Sequence, residues 1–169
     1  MKRSLELFCC FAIVSMFSAS AHAEAGMGMT WSKLSHDNTL GIDQVNCNNG
    51  APDGCNSYRG DTSCVLSRPI LCFKFDNSSR PSYTATRSDF YDGWAGGHIA
   101  TTAPVPGYIL SSPTVGDGIC QDSFGAGWRM AEFHDNRIGG WGFRAYGNVR
   151  NDLHFWVKIN DQPANCWNR

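Results

Sequence analysis

Six cysteines beyond the amino-terminal leader constrain the fold of this chain more than any other feature: Cys47, Cys55, Cys64, Cys72, Cys120 and Cys166. The leader is residues 1–23, where Lys2 and Arg3 precede an apolar run over 7–17 and Ala21-His22-Ala23 forms a small-x-small cleavage site. The run is shorter than the roughly 20 residues a membrane span needs. Cys9 and Cys10 lie inside it, and Phe8 stands where a lipoprotein signal wants a small residue. The mature protein is therefore expected to be secreted or periplasmic, without membrane insertion. An even cysteine count in such a compartment implies disulfides.

Six cysteines permit fifteen pairings, and sequence does not select one. The expected set is Cys47–Cys55, Cys64–Cys72 and Cys120–Cys166, because the first four are neighbours in two short loops and the last two bracket the aromatic-rich end. The third would close the longest loop and contribute roughly 3 to 4 kcal/mol. Zinc is disfavoured, since structural sites use C-x2-4-C pairs and these pairs are eight residues apart.

What remains after the leader suits one domain. The expected division is a signal peptide over 1–23, a flexible arm over 24–41 and a single disulfide-rich domain over 42–169. The arm contains a lone Trp31 and no apolar period. With 14 Lys and Arg against 15 Asp and Glu, and no run of either sign, nothing suits nucleic acid or an anionic membrane.

Residues 41–63 are rich in Asn, Asp and Gly, the turn residues. They lack the D-x-[DN]-x-[DN]-G register of a calcium loop, so a solvated loop pinned by Cys47 and Cys55 is expected. Residues 69–75 alternate Leu71, Phe73 and Phe75 on one face, with Pro69 at a strand start. Further strands are expected near 98–102, 105–110, 128–131, 142–146 and 155–159. One helix is expected over 117–125, with Asp117 as N-cap and Gly125 as stop. The fold class is α+β: mostly short antiparallel strands with one short helix, stapled by disulfides.

Cys120 and its glycine-ended helix, followed by Gly127-Trp128-Arg129-Met130-Ala131-Glu132, Phe155-Trp156-Val157-Lys158-Ile159-Asn160-Asp161 and Cys166-Trp167, resemble the C-type-lectin-like fold over residues 117–168. The resemblance implies a late cysteine paired back to the helix and a sugar-binding role. The family's calcium motif, Glu-Pro-Asn or Gln-Pro-Asp, is here Gln162-Pro163-Ala164-Asn165, one residue out of register. No cofactor is expected; calcium is the one ion the resemblance would bring.

Glu132, His134 and Asp135 are the densest titratable group. A histidine beside carboxylates can be a general base or a metal ligand with His154 or His98, and the same residues can cap a turn. No G-x-S-x-G, H-E-x-x-H or P-loop is present. The chain has six tryptophans, whose large rigid faces stack on sugars or anchor interfaces. Trp128 and Trp156 are expected in the core. Trp94 and Trp141, beside glycine pairs, are expected to be the exposed ones. The expected function is binding of a glycan or an extracellular protein through Trp94, Trp141, Asn160, Asp161 and Gln162, without catalysis. The alternatives are a small secreted hydrolase using Glu132 and His134, and a structural component of an envelope or appendage.

Overall fold

A computed structural model describes residues 26–48, 54–85 and 88–168. Residues 1–23, expected to be a signal peptide, and residues 49–53 of the Asn/Gly-rich loop lie outside the described residues. In chain order the elements are β1 (Met27–Gly28), β2 (Thr30–Asp37), β3 (Ile42–Asn46), β4 (Thr62–Ser63), β5 (Ser67–Arg68), β6 (Leu71–Phe75), α1 (Asp89–Asp92), β7 (Gly93–Thr101), β8 (Val105–Pro106), α2 (Pro113–Phe124), β9 (Arg129–Met130), β10 (Gly142–Tyr146) and β11 (Phe155–Trp156). Short strands with two helices bear out the disulfide-stapled α+β class.

One seven-stranded sheet runs β11-β2-β3-β10-β7-β6-β9, and two-stranded ribbons β1-β4 and β5-β8 flank it. Neighbours in the large sheet are antiparallel except β10 and β7, which are parallel. The sheet curls until its edges meet: Ile70 bridges to Trp156 and Glu132 to Lys158. The Trp156 amide donates to the Pro69 carbonyl (2.8 Å), Lys158 to Ala131 (3.0 Å) and Phe133 to Lys158 (2.9 Å). Closure removes the open edges that would otherwise invite pairing with another chain.

Strand alternation then sorts side chains into two cores. Leu71 and Phe73 join Trp31, Val45, Phe143, Phe155 and Val157 in the larger one. Ile70 and Cys72, on the opposite face, join Leu110, Cys120, Met130 and Trp156 beneath α2. This alternation also overturns two expected disulfides. Cys47–Cys55 forms, but Cys72 faces the helix and pairs with Cys120, and Cys64 pairs with Cys166. Contrary to what the family resemblance implied, the late cysteine does not return to the helix.

The arm expected over 24–41 is instead structural. β2 pairs with both β3 and β11, and Trp31 is fully buried against Phe133 and Phe143, with ring centroids 5.5 and 5.7 Å away. Polar residues on its solvent side, Ser32, Ser35 and Asp37, hide the apolar period. The helix begins earlier than expected: Ser112 is its N-cap, Pro113 opens it, and Gly125 ends it at φ 96°. Asp117 lies inside the helix, where its carboxylate accepts from the Met130 amide (2.9 Å) and from Lys158 Nζ (2.8 Å). It ties α2 to β9 and to the closing segment.

Among the described residues no helix is long and apolar enough to cross a membrane. Three disulfides are what a protein matured in an oxidising compartment carries.

Candidate functional site

The turn between β9 and β10, residues 132–141, contributes walls to two clefts, and Glu132, Asp135 and Asn136 hold its shape. Glu132 Oε2 accepts from the His134 amide (2.7 Å), while Oε1 accepts from the Asn160 amide (3.1 Å) and contacts His134 Nδ1 (3.2 Å). Asp135 accepts from the Glu132 amide (2.7 Å) and pairs through both oxygens with Arg129. Burial pushes the Asp135 carboxyl above the usual aspartate range, with the Arg129 guanidinium pulling against it. Asn136 is buried and clasps the turn: its amide donates to the carbonyls of Phe90 and Gly142 (3.1 Å each), and its oxygen accepts from the Ile138 and Gly140 amides. Glu132 and Asp135 thus act as turn ligands. Glu132 and His134 do meet, as the hydrolase alternative requires, but both Glu132 oxygens are already committed to backbone amides.

The first cleft, about 120 Å³, is lined by Tyr58, His134, Trp141, Asp161 and Gln162, with Phe133 and Ile159 behind them. Trp141 is half-buried, edge-on to Phe133 at 5.3 Å. Tyr58 is 57% exposed. His134 Nε2 lies 3.9 Å from Asp161. A ring face, a carboxylate, a carboxamide and an imidazole therefore converge on one concave surface.

Of the five residues expected to bind ligand, this cleft gathers Trp141, Asp161 and Gln162. Asn160 is exposed but does not line it, contributing a backbone amide to Glu132. Trp94 lines the second cleft and, against expectation, is only 7% exposed. It is edge-on to Tyr146 at 5.0 Å, and its indole N–H donates to the Ser78 carbonyl at 2.8 Å. The segment 77–80 folds over it, which neighbouring glycines could not reveal. Trp128, expected in the core, is half-buried beside Phe124, whereas Trp156 is buried as expected.

Tyr58 is the residue that sequence reasoning missed. Its one signal was an aromatic ring in the Asn/Asp/Gly-rich stretch over 41–63, three residues after Cys55. Asn165, in the out-of-register motif, is not directed to a ligand: its oxygen accepts from the Ile159 amide (3.0 Å) and its nitrogen donates to the Ile159 carbonyl (2.7 Å). Among the described residues no group of three or more His, Cys, Asp or Glu side chains could hold a metal ion. No protein-family model, curated protein or solved structure matches the chain, so its function is read from this geometry.

Proposed function

We propose that the protein is a secreted or periplasmic binding domain that holds one sugar ring of a glycan in the Trp141 cleft, without catalysis. The observation carrying this reading is the convergence of Trp141 and Tyr58 with Asp161 and Gln162. Aromatic rings offer apolar faces to the C–H side of a pyranose, while carboxylate and carboxamide groups answer its hydroxyls. The cleft is smaller than the roughly 300 to 1,000 Å³ of sites that engulf a whole small molecule. It suits a terminal ring presented by a larger glycan. The resemblance of residues 117–168 to the C-type-lectin-like fold agrees with sugar recognition, although calcium has no part in this proposal because Asn165 is spent on the backbone.

A glycan array probed with the oxidised protein tests the reading, with and without chelator. Binding should survive chelation and weaken about tenfold or more in Tyr58→Ala, a loss worth about 1.4 kcal/mol. Tyr58 is exposed, so that variant keeps its thermal stability. Trp141→Ala should also lose binding, along with some stability from its packing on Phe133. A blank array, or hits indifferent to both substitutions, would reject the glycan and turn attention to a protein partner. A turnover activity lost in His134→Ala would favour the hydrolase instead.

A further inference from the structure

The second cleft, about 440 Å³, lies within the size range of small-molecule sites. Its walls come from segment 77–80, from Asp89, Gly93 and Trp94, and from Asn136, Arg137 and Ile138. Two arginines, Arg80 and Arg137, and one aspartate, Asp89, are among these residues. Arg80 is matched by Asp89 at 3.0 Å, but Arg137 makes no ion pair among the described residues; its guanidinium lies 5.7 Å from the centre of the Phe75 ring. Arg137 also adopts φ 67°, a left-handed conformation uncommon for a non-glycine residue and costly enough to cluster at functional positions. Ser78 lies in the same wall, tied to Asp76, whose carboxylate accepts from its amide at 2.9 Å. Ile138, 60% exposed, adds an apolar surface beside them.

We propose that this cleft binds an acidic sugar unit, a hexuronate-type pyranose whose carboxylate pairs with Arg137. A guanidinium takes a carboxylate through two parallel hydrogen bonds. The Asn77 side chain answers ring hydroxyls, and Ile138 covers an apolar ring face. An inorganic anion would satisfy Arg137 but leave most of the volume unused. Asn136 takes no part, since its amide is committed to the turn. The site goes beyond the Trp141 reading and stands or falls separately from it.

The test is calorimetric or NMR titration of the oxidised protein with free glucuronic acid, glucose and inorganic phosphate. Glucuronate should bind in the millimolar range, glucose at least about tenfold more weakly, and added salt should weaken glucuronate binding by screening the charge. Arg137→Gly removes the guanidinium while placing at φ 67° the residue that tolerates it best. This variant should keep or raise its melting temperature and lose glucuronate binding about tenfold or more. Tyr58→Ala should leave glucuronate binding unchanged. The proposal is overturned if no glucuronate binds at millimolar concentration, if glucose binds equally well, or if phosphate binds as tightly as glucuronate. Unaltered binding in Arg137→Gly overturns it too, as does loss in Tyr58→Ala, which would place the sugar in the Trp141 cleft.

Discussion

Asp135 shows how a single side chain holds the turn on which both clefts depend. Its carboxylate takes the Glu132 amide and the Arg129 guanidinium, yet burial outweighs them and leaves its pKa raised. At pH values just above the ordinary aspartate pKa of about 4, the native state therefore keeps a proton that the unfolded chain has released. The stability contributed by this protonation is present at low pH and is lost as pH rises through the native pKa. The melting temperature of the wild type minus that of Asp135→Asn should grow as pH falls from about 6 to about 4. A difference that stays flat or shrinks would refute the assignment. The sequence made the Glu132, His134 and Asp135 cluster visible and allowed its turn-capping role, since acidic residues near a turn readily accept backbone amides. It could not show which tryptophans are buried, because that depends on strands paired from distant segments. Trp31 sits among polar neighbours and is buried by the meeting of β2 with β11; Trp94 sits among glycines and is covered by residues 77–80.

At the scale of elements, local pattern was a sound guide where one strand or turn decided the outcome. The alternation of Leu71 and Phe73 identified β6, and Gly125 marked the end of α2. The start of α2 was missed although Ser112-Pro113, a good N-cap followed by the imino acid suited to the first turn, was present. The two-residue ribbons were beyond pattern reading, because two residues carry no period. Glycines divide by what surrounds them. A Cβ on Gly107 would meet Cys166 Sγ at 2.6 Å and the Trp156 ring at 2.8 Å, and one on Gly28 would meet the same sulfur at 2.6 Å from β1. These two backbones clamp the Cys64–Cys166 bridge. Gly107→Ala should cost about 1 to 3 kcal/mol by overpacking. In contrast, Gly118 lies within α2 with open space where its Cβ would be. Gly118→Ala should stabilise by about 0.5 to 1 kcal/mol, mainly by restricting the unfolded chain. Denaturant midpoints moving in opposite directions would support both assignments; a loss in Gly118→Ala would contradict the free helix surface.

For the molecule as a whole, the decisive event is closure of the sheet by its last strand, which no local period announces. β11 joins β2 by strand pairing, and its neighbourhood reaches Pro69, Ile70 and Ala131 on the far edge through single backbone bonds. Ala164 and Asn165 add further ties, to Met29 and Ile159. Cys64–Cys166 anchors the segment after β11 beside Trp156. This bridge spans 102 residues, Cys72–Cys120 spans 48 and Cys47–Cys55 spans 8. Chain-entropy reasoning assigns them about 4.7, 4.1 and 2.5 kcal/mol in that order. Paired Cys→Ala replacements should therefore lower the melting temperature most for Cys64 with Cys166, next for Cys72 with Cys120, and least for Cys47 with Cys55. The first replacement has a further consequence that the second lacks. Without the anchor, the amide protons of Trp156 and Lys158, which bond across the closure, should exchange with solvent far faster than those of β3 and β10. If those two amides stay as protected as β3 when Cys64–Cys166 is absent, backbone pairing alone closes the sheet and the bridge only limits the unfolded chain.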